Sequence, residues 1–198
     1  MGDIVDLAIA AVAPHASVIQ VELGGSRSRG TNDELSDWDF AVRTSDFDSL
    51  ARDLATLVEP LAPLGAQWEP LGHFPVYALM LRGPTVVEYL FLEHSQEART
   101  PVKPSKETLP HIHAHFWAWI WWLATKASVG RNVEDHWPRL YRHMLEPMGA
   151  TTVPNSIEAA VCTFLLRRSE LEREYGVELS RPLETEVRSG IRRLGYKA

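Results

Sequence analysis

A two-part α+β chain, with a mixed sheet and flanking helices over residues 1–99 and a helical bundle over 100–198, is what this sequence predicts. Three observations carry that expectation. The first half alternates β-rich runs with a single strong helical pattern. The second half holds long helical patterns alone. Charge and texture change at the same place: residues 1–99 carry six arginines and no lysine against fifteen acids, a balance of −9, whereas 100–198 carry fourteen basic residues against eleven acids, a balance of +3. The TPVKPS stretch over Thr100–Ser105 reads as a proline-bracketed linker at that junction. An apolar content of 45% is enough for each part to bury a core.

Taken in order, residues 1–15 read as a short amphipathic helix; Asp3 and Asp6 stand where a secretion signal would carry lysines. Ser17–Leu23 (SVIQVEL) and Trp38–Arg43 (WDFAVR) read as strands. Between Asp46 and Leu61, Phe47, Leu50, Leu54, Leu57, Val58 and Leu61 recur at helical spacing, with Ser45 as the expected cap. Val76–Leu81 and Thr85–Leu92 follow as two strands joined by Arg-Gly-Pro turn chemistry. Helices are expected over Pro110–Ala127, Arg131–Leu145, Ser156–Tyr175 and Arg181–Leu194, and a four-helix bundle is the simplest assembly. The first of these is apolar nearly all round, with Trp117, Trp119, Trp121 and Trp122. Its apolar stretch is far shorter than the ~20 residues a bilayer crossing needs, so it reads as a central bundle helix or a homodimer contact. With one cysteine, Cys162, an internal disulfide is excluded and a reducing, cytoplasmic setting is expected.

The densest chemistry lies in GGSRSRGTNDELSDWDF, Gly24 to Phe40. Gly24 and Gly25 end a strand, and Ser26 opens a short segment whose backbone N–H groups and hydroxyl suit a phosphate oxygen. Arg27 and Arg29 add positive charge. Asp37 and Asp39 are two apart, so on an extended strand both carboxylates project from one face. Paired acids beside a phosphate cradle are what a divalent cation needs to bridge protein and a nucleoside triphosphate.

The spacing Gly25-Ser26, ten residues, then Asp37-Trp38-Asp39 resembles the signature of nucleotidyltransferases of the DNA polymerase β type. The fuller form GSxxRG followed by SDxD matches at Gly25, Ser26, Arg29, Gly30, Ser36, Asp37 and Asp39. The resemblance implies a nucleotidyltransferase sheet domain that moves a nucleoside monophosphate, AMP from ATP, onto a hydroxyl with release of pyrophosphate. It implies two magnesium ions, with manganese as the alternative, held by Asp37, Asp39 and a third acid from a later strand. Glu88 and Glu93 compete for that role. Glu88, set among Val86, Val87, Tyr89 and Leu90, is the costlier carboxylate to leave unpaired, and it departs from the aspartate common in the family. It would serve as metal ligand or as general base. Gly25, Ser26 and Arg29 are implied as nucleotide-binding residues.

Kanamycin-type members of the family carry a helical bundle after the sheet, from which a basic residue reaches the nucleotide; Lys126 and Arg131 are the candidates here. Arg131 to His136 also reads RNxxxH, similar to the signature of HEPN-type ribonucleases. That gives the alternative function, RNA cleavage with His136 as acid or base and Arg131 on the phosphate. A third reading is an antitoxin-like partner bound through the tryptophan-rich helix. His111, His113 and His115 lack a third ligand at zinc spacing and read as polar residues of a helix's first turns. The −9 half argues against stable nucleic-acid binding. It favours a small hydroxylated acceptor bearing amines, as in aminoglycoside antibiotics.

Overall fold

A computed structural model describes residues 3–69, 72–97 and 101–197. The chain is mixed α+β and divides into two compact units, Met1–Arg99 and Thr100–Ala198.

In the first unit, helix α1 (Ile4–Val12) is capped by the Asp3 carboxylate, which accepts the Val5 N–H at 3.2 Å. Strand β1 (Val18–Leu23), a single helical turn α2 (Gly25–Ser28) and strand β2 (Trp38–Thr44) follow. Helix α3 (Phe47–Leu57) then leads to β3 (Gly65–Trp68), β4 (Val76–Leu81) and β5 (Thr85–Leu90). The five strands form one sheet in the order β1-β2-β5-β4-β3. β2 and β5 pair in parallel, and the other neighbours pair antiparallel.

Alternation along the strands divides the sheet's faces. Phe40 and Val42 of β2, with Val87 and Tyr89 of β5, are buried in one cluster with Ala8 and Val12 of α1 and Leu50 and Leu54 of α3. The Tyr89 hydroxyl donates to the Ala8 carbonyl at 2.8 Å and ties the central strand to α1. Asp39 and Glu88 occupy the alternate positions, so their side chains leave from the opposite face. Leu54 is fully buried, and Leu54→Ala is expected to cost about 2–5 kcal/mol, read as a lowered urea midpoint with an unchanged slope.

Local chemistry explains where the elements differ from the sequence reading. Asp46, rather than Ser45, caps α3 by accepting the Ser49 N–H at 3.0 Å. Ser45 instead donates to the Ser17 carbonyl at 3.2 Å and binds the end of β2 to the start of β1. The helix stops at Leu57 and a 3-10 turn covers Glu59–Leu61, because Pro60 disfavours the α conformation at the residue before it. Strand β3 was not expected at all. Its GAQW sequence is four residues long, lacks apolar alternation and lies on the sheet edge.

The second unit holds helices α4 (Leu109–Ser128), α5 (Trp137–Leu140), α6 (Ile157–Tyr175) and α7 (Pro182–Arg193). The single helix expected over 131–145 is broken into a 3-10 turn (Glu134–His136), α5, and a π-helical turn (Tyr141–Leu145). The Asn132 side chain accepts the Glu134 N–H at 2.9 Å, an alternative to helix. Pro138 then opens a fresh helical turn. α6 runs from the Ser156 cap to Gly176, whose φ of 63° and ψ of 39° end it in the left-handed conformation. On α4, Trp117 and Trp121 are buried while Trp119 and Trp122 remain partly exposed. Phe116 stacks on Phe164 of α6 with ring centroids 3.7 Å apart. No described helix is long and apolar enough to cross a membrane.

His113 belongs to this bundle's core. It is 5% exposed, and neither ring nitrogen has a hydrogen-bond partner among the described residues. Its neighbours include an ion network in which buried Arg168 bonds Glu184 and approaches Glu172 at 3.4 Å, while the partly exposed Arg181 holds Glu172 at 2.8 Å. Burial, reinforced by Arg168, lowers the His113 pKa from 6.5 to about 4. The unfolded chain therefore binds the extra proton first. This contribution to stability is whole above pH 6.5 and is lost as the pH falls from there towards 4. The loss should approach about 3 kcal/mol. His113→Phe, which cannot titrate, should show a flatter decline in urea midpoint between pH 7 and 4.5 than the wild type.

Candidate active site

The chain leaves β1 at Gly24, whose N–H donates to the Asp39 carbonyl at 2.7 Å, and turns immediately into α2. Gly25 adopts φ 61°, a left-handed conformation. A β-carbon added there would sit 2.6 Å from the Asp39 Cγ and 2.9 Å from its Cβ. Only glycine lets the Asp39 carboxylate lie this close to the backbone of the turn. The small-residue turn and the second acid are thus in direct apposition.

The intervening loop is held from within. Asp33 Oδ1 accepts from the Leu35 N–H at 2.9 Å and from the Ser36 hydroxyl at 3.0 Å, while Ser36 Oγ accepts the Asp33 N–H at 3.0 Å. Asp33 is therefore spent on the turn. At the start of the loop, the Thr31 N–H donates to the Ser26 carbonyl at 3.0 Å. Arg27 reaches back across it: its Nε donates to the carbonyls of Ser36 and Asp37 at 3.1 and 3.2 Å, and Nη2 donates to Ser36 O at 2.6 Å. Its guanidinium carbon lies 3.8 Å from the centre of the Trp38 ring. Ser26 is partly exposed and Arg29 is exposed.

Strand register places Glu88 beside Asp39. Asp39 of β2 is the parallel partner of Glu88 of β5, and neighbouring strands lie roughly 4.8 Å apart. On its other side Glu88 faces Ala78 of β4, a residue with little side chain to crowd it. Asp37 precedes β2 and shares the parity of Asp39. Glu93, the competing acid, forms an ion pair with Arg43 at 3.0 Å, both groups about half exposed at 55% and 52%. Asp37, Asp39 and Glu88 are partly exposed. Among the described residues no three histidines, cysteines or acids already converge as a cage for a metal ion. The site brings together Gly25 and Asp39 directly, and Asp39 and Glu88 through strand pairing.

The basic residues assigned from the second half lie in the helical unit. Lys126, in the last turn of α4, stands 5.7 Å from the centre of the Trp122 ring. Arg131 is exposed in the coil after α4, its N–H donating to the Lys126 carbonyl at 3.0 Å. His136 ends the 3-10 turn, with its ring 4.8 Å from that of Trp122. Burial, then Arg139, lowers its pKa. Arg131 and His136 therefore do not lie on one continuous helix. A cavity of about 660 Å³ in this unit is lined by residues such as Lys103, Arg142, Glu146 and Tyr175, and by neither of them.

No family model matches the chain, and no curated relative does either. Among solved structures, the chain is similar to the crystal structure of an aminoglycoside 6-adenyltransferase from Bacillus subtilis. The two share 12% sequence identity at a TM-score of 0.34, over 95% of this chain and 97% of that one.

Proposed function

We propose that the chain is a metal-dependent nucleotidyltransferase that moves AMP from ATP onto a hydroxyl of a small, amine-bearing acceptor and releases pyrophosphate. The observation that supports this best is the pairing of Asp39 with Glu88 across β2 and β5, with the glycine turn packed against the Asp39 carboxylate.

The donor set suits magnesium. Three carboxylates offer hard oxygen ligands, and magnesium at nucleotide sites typically takes one or two protein carboxylates, completing its shell with phosphate oxygens and water. A ready three-ligand cage is not required. Asp37 and Asp39 would hold the ion that shares the triphosphate, and Glu88 with Asp39 would hold a second. When bound, magnesium supplies neutralisation of phosphate charge and a lowered pKa at a coordinated hydroxyl.

The chain's own groups then divide the work. Gly25 N–H, the Ser26 hydroxyl and Arg29 grip the β- and γ-phosphates and offset the charge that grows on the leaving group. The acceptor oxygen attacks the α-phosphorus in line, forming one P–O bond as the bond to the bridging oxygen of pyrophosphate breaks. Where no second ion is held there, Glu88 would instead take the hydroxyl proton as general base. The surplus of acids in residues 1–99, Glu22 and Glu34 among them, favours a cationic acceptor.

The acceptor class is tested by incubating the protein with magnesium and α-labelled ATP against an aminoglycoside panel, a tRNA pool and protein substrates, following the label by mass spectrometry. Label on an amino sugar is the expected result. Label on tRNA or protein alone would overturn the acceptor class and leave the transferase reading intact.

A further inference from the structure

We infer that Arg27 is a positioning residue, one that aims the Asp37 carboxylate by clamping the two peptide groups on either side of it, rather than a phosphate ligand. This rests on the proposed metal-dependent reading of the same site.

The peptide bond entering Asp37 carries the Ser36 carbonyl, and the one leaving it carries the Asp37 carbonyl. Arg27 donates to both, through Nε at 3.1 and 3.2 Å and through Nη2 at 2.6 Å. Fixing both flanking peptides fixes the φ and ψ of Asp37, and with them the direction of its Cα–Cβ bond. Asp39 needs no such help, because it lies within the β2 ladder and its carbonyl accepts the Gly24 N–H at 2.7 Å. Asp37 lies one residue before that ladder begins.

The Arg27 fork is also pinned face-on. Its guanidinium carbon lies 3.8 Å from the centre of the Trp38 ring, and Trp38 in turn packs against the sheet core. One edge of the guanidinium meets carbonyls and one face meets an indole. Arginine suits both tasks because it is planar and carries its donors in a rigid fork, a geometry lysine cannot reproduce. Arg27 itself sits on α2, the turn that begins at Gly25, so the clamp fastens the proposed phosphate-binding turn to the segment bearing the first acid.

Position and charge predict opposite signs in one measurement. Binding of Mn2+ alone, without nucleotide, is followed by electron paramagnetic resonance on the full chain and on Arg27→Lys, Arg27→Gln and Asp39→Asn, with thermal midpoints recorded alongside. A cation beside the site only repels a metal ion, so if charge were all that Arg27 contributed, Arg27→Gln would bind Mn2+ more tightly and Arg27→Lys would match the wild type. The clamp predicts that both variants bind Mn2+ about tenfold more weakly or worse, the size of effect seen when a group that orients a ligand is lost. Should Arg27→Gln fail to fold, Arg27→Lys decides alone. Wild-type or tighter Mn2+ binding in folded Arg27→Lys, with binding lost in Asp39→Asn, would overturn the clamp and leave the transferase reading standing. Absence of Mn2+ binding in the wild type, or full binding in Asp39→Asn, would overturn both.

Discussion

Asp39→Asn is expected to remove metal-dependent nucleotide binding and transfer, by about a hundredfold or more, while leaving the fold in place. The change keeps the size and planarity of the side chain and deletes its charge. The Asp39 backbone bonds that hold Gly24 and build the β2 ladder are untouched, so the thermal midpoint should move little. Asp37→Asn should follow the same course. Glu88→Gln separates two roles. If Glu88 mainly receives the acceptor proton, transfer falls while Mn2+ affinity holds; if it mainly holds the second ion, both fall together. Nucleotide binding and turnover by each variant, measured beside circular dichroism, check this directly.

Gly25→Ala is expected to be nearly as severe for function and mild for stability. Two costs meet at this residue. A side chain at φ 61° costs about 1–2 kcal/mol, which a domain of this size tolerates. The added methyl, however, would sit 2.6 Å from the Asp39 Cγ, and the carboxylate must swing aside to make room. The predicted pattern is a folded protein whose Mn2+ affinity falls about tenfold or more, although no charged group has been removed. Gly24→Ala is the contrast, since a β-carbon there would meet the Asp39 carbonyl at 3.6 Å, an ordinary contact. It should retain metal binding within about threefold of the wild type, less than half the ~1.4 kcal/mol that a tenfold change represents.

The placement of the acids was largely legible because it depends on local rules. Alternation along WDFAVR and TVVEYL assigns Asp39 and Glu88 to the face opposite Phe40 and Tyr89, and the structure pairs the two residues in register. Glu93 was harder to judge. Its partner Arg43 lies fifty residues earlier in sequence, and no local pattern announces an ion pair over that distance. The contacts of Arg27 were illegible for a related reason. The sequence shows a positive charge between a glycine turn and two acids, and nothing in the spacing shows that its fork folds back onto carbonyls over an indole. The helix expected over 131–145 is broken because Asn132 and Pro138 locally favour a turn and a new start. The left-handed Gly25 is the intermediate case. A Gly-Gly pair signals a turn, but only tertiary structure reveals what lies against it.

On the proposed reading, the acids of β2 and the glycine turn form a metal-dependent triphosphate site. Calorimetric titration of a non-hydrolysable α,β-methylene ATP analogue into the purified chain, with magnesium and then with excess EDTA, tests it most directly when repeated on Asp39→Asn. Saturable one-to-one binding with magnesium, lost on chelation and lost in Asp39→Asn, is expected. Equal binding by wild type and Asp39→Asn, or binding indifferent to EDTA, would contradict it.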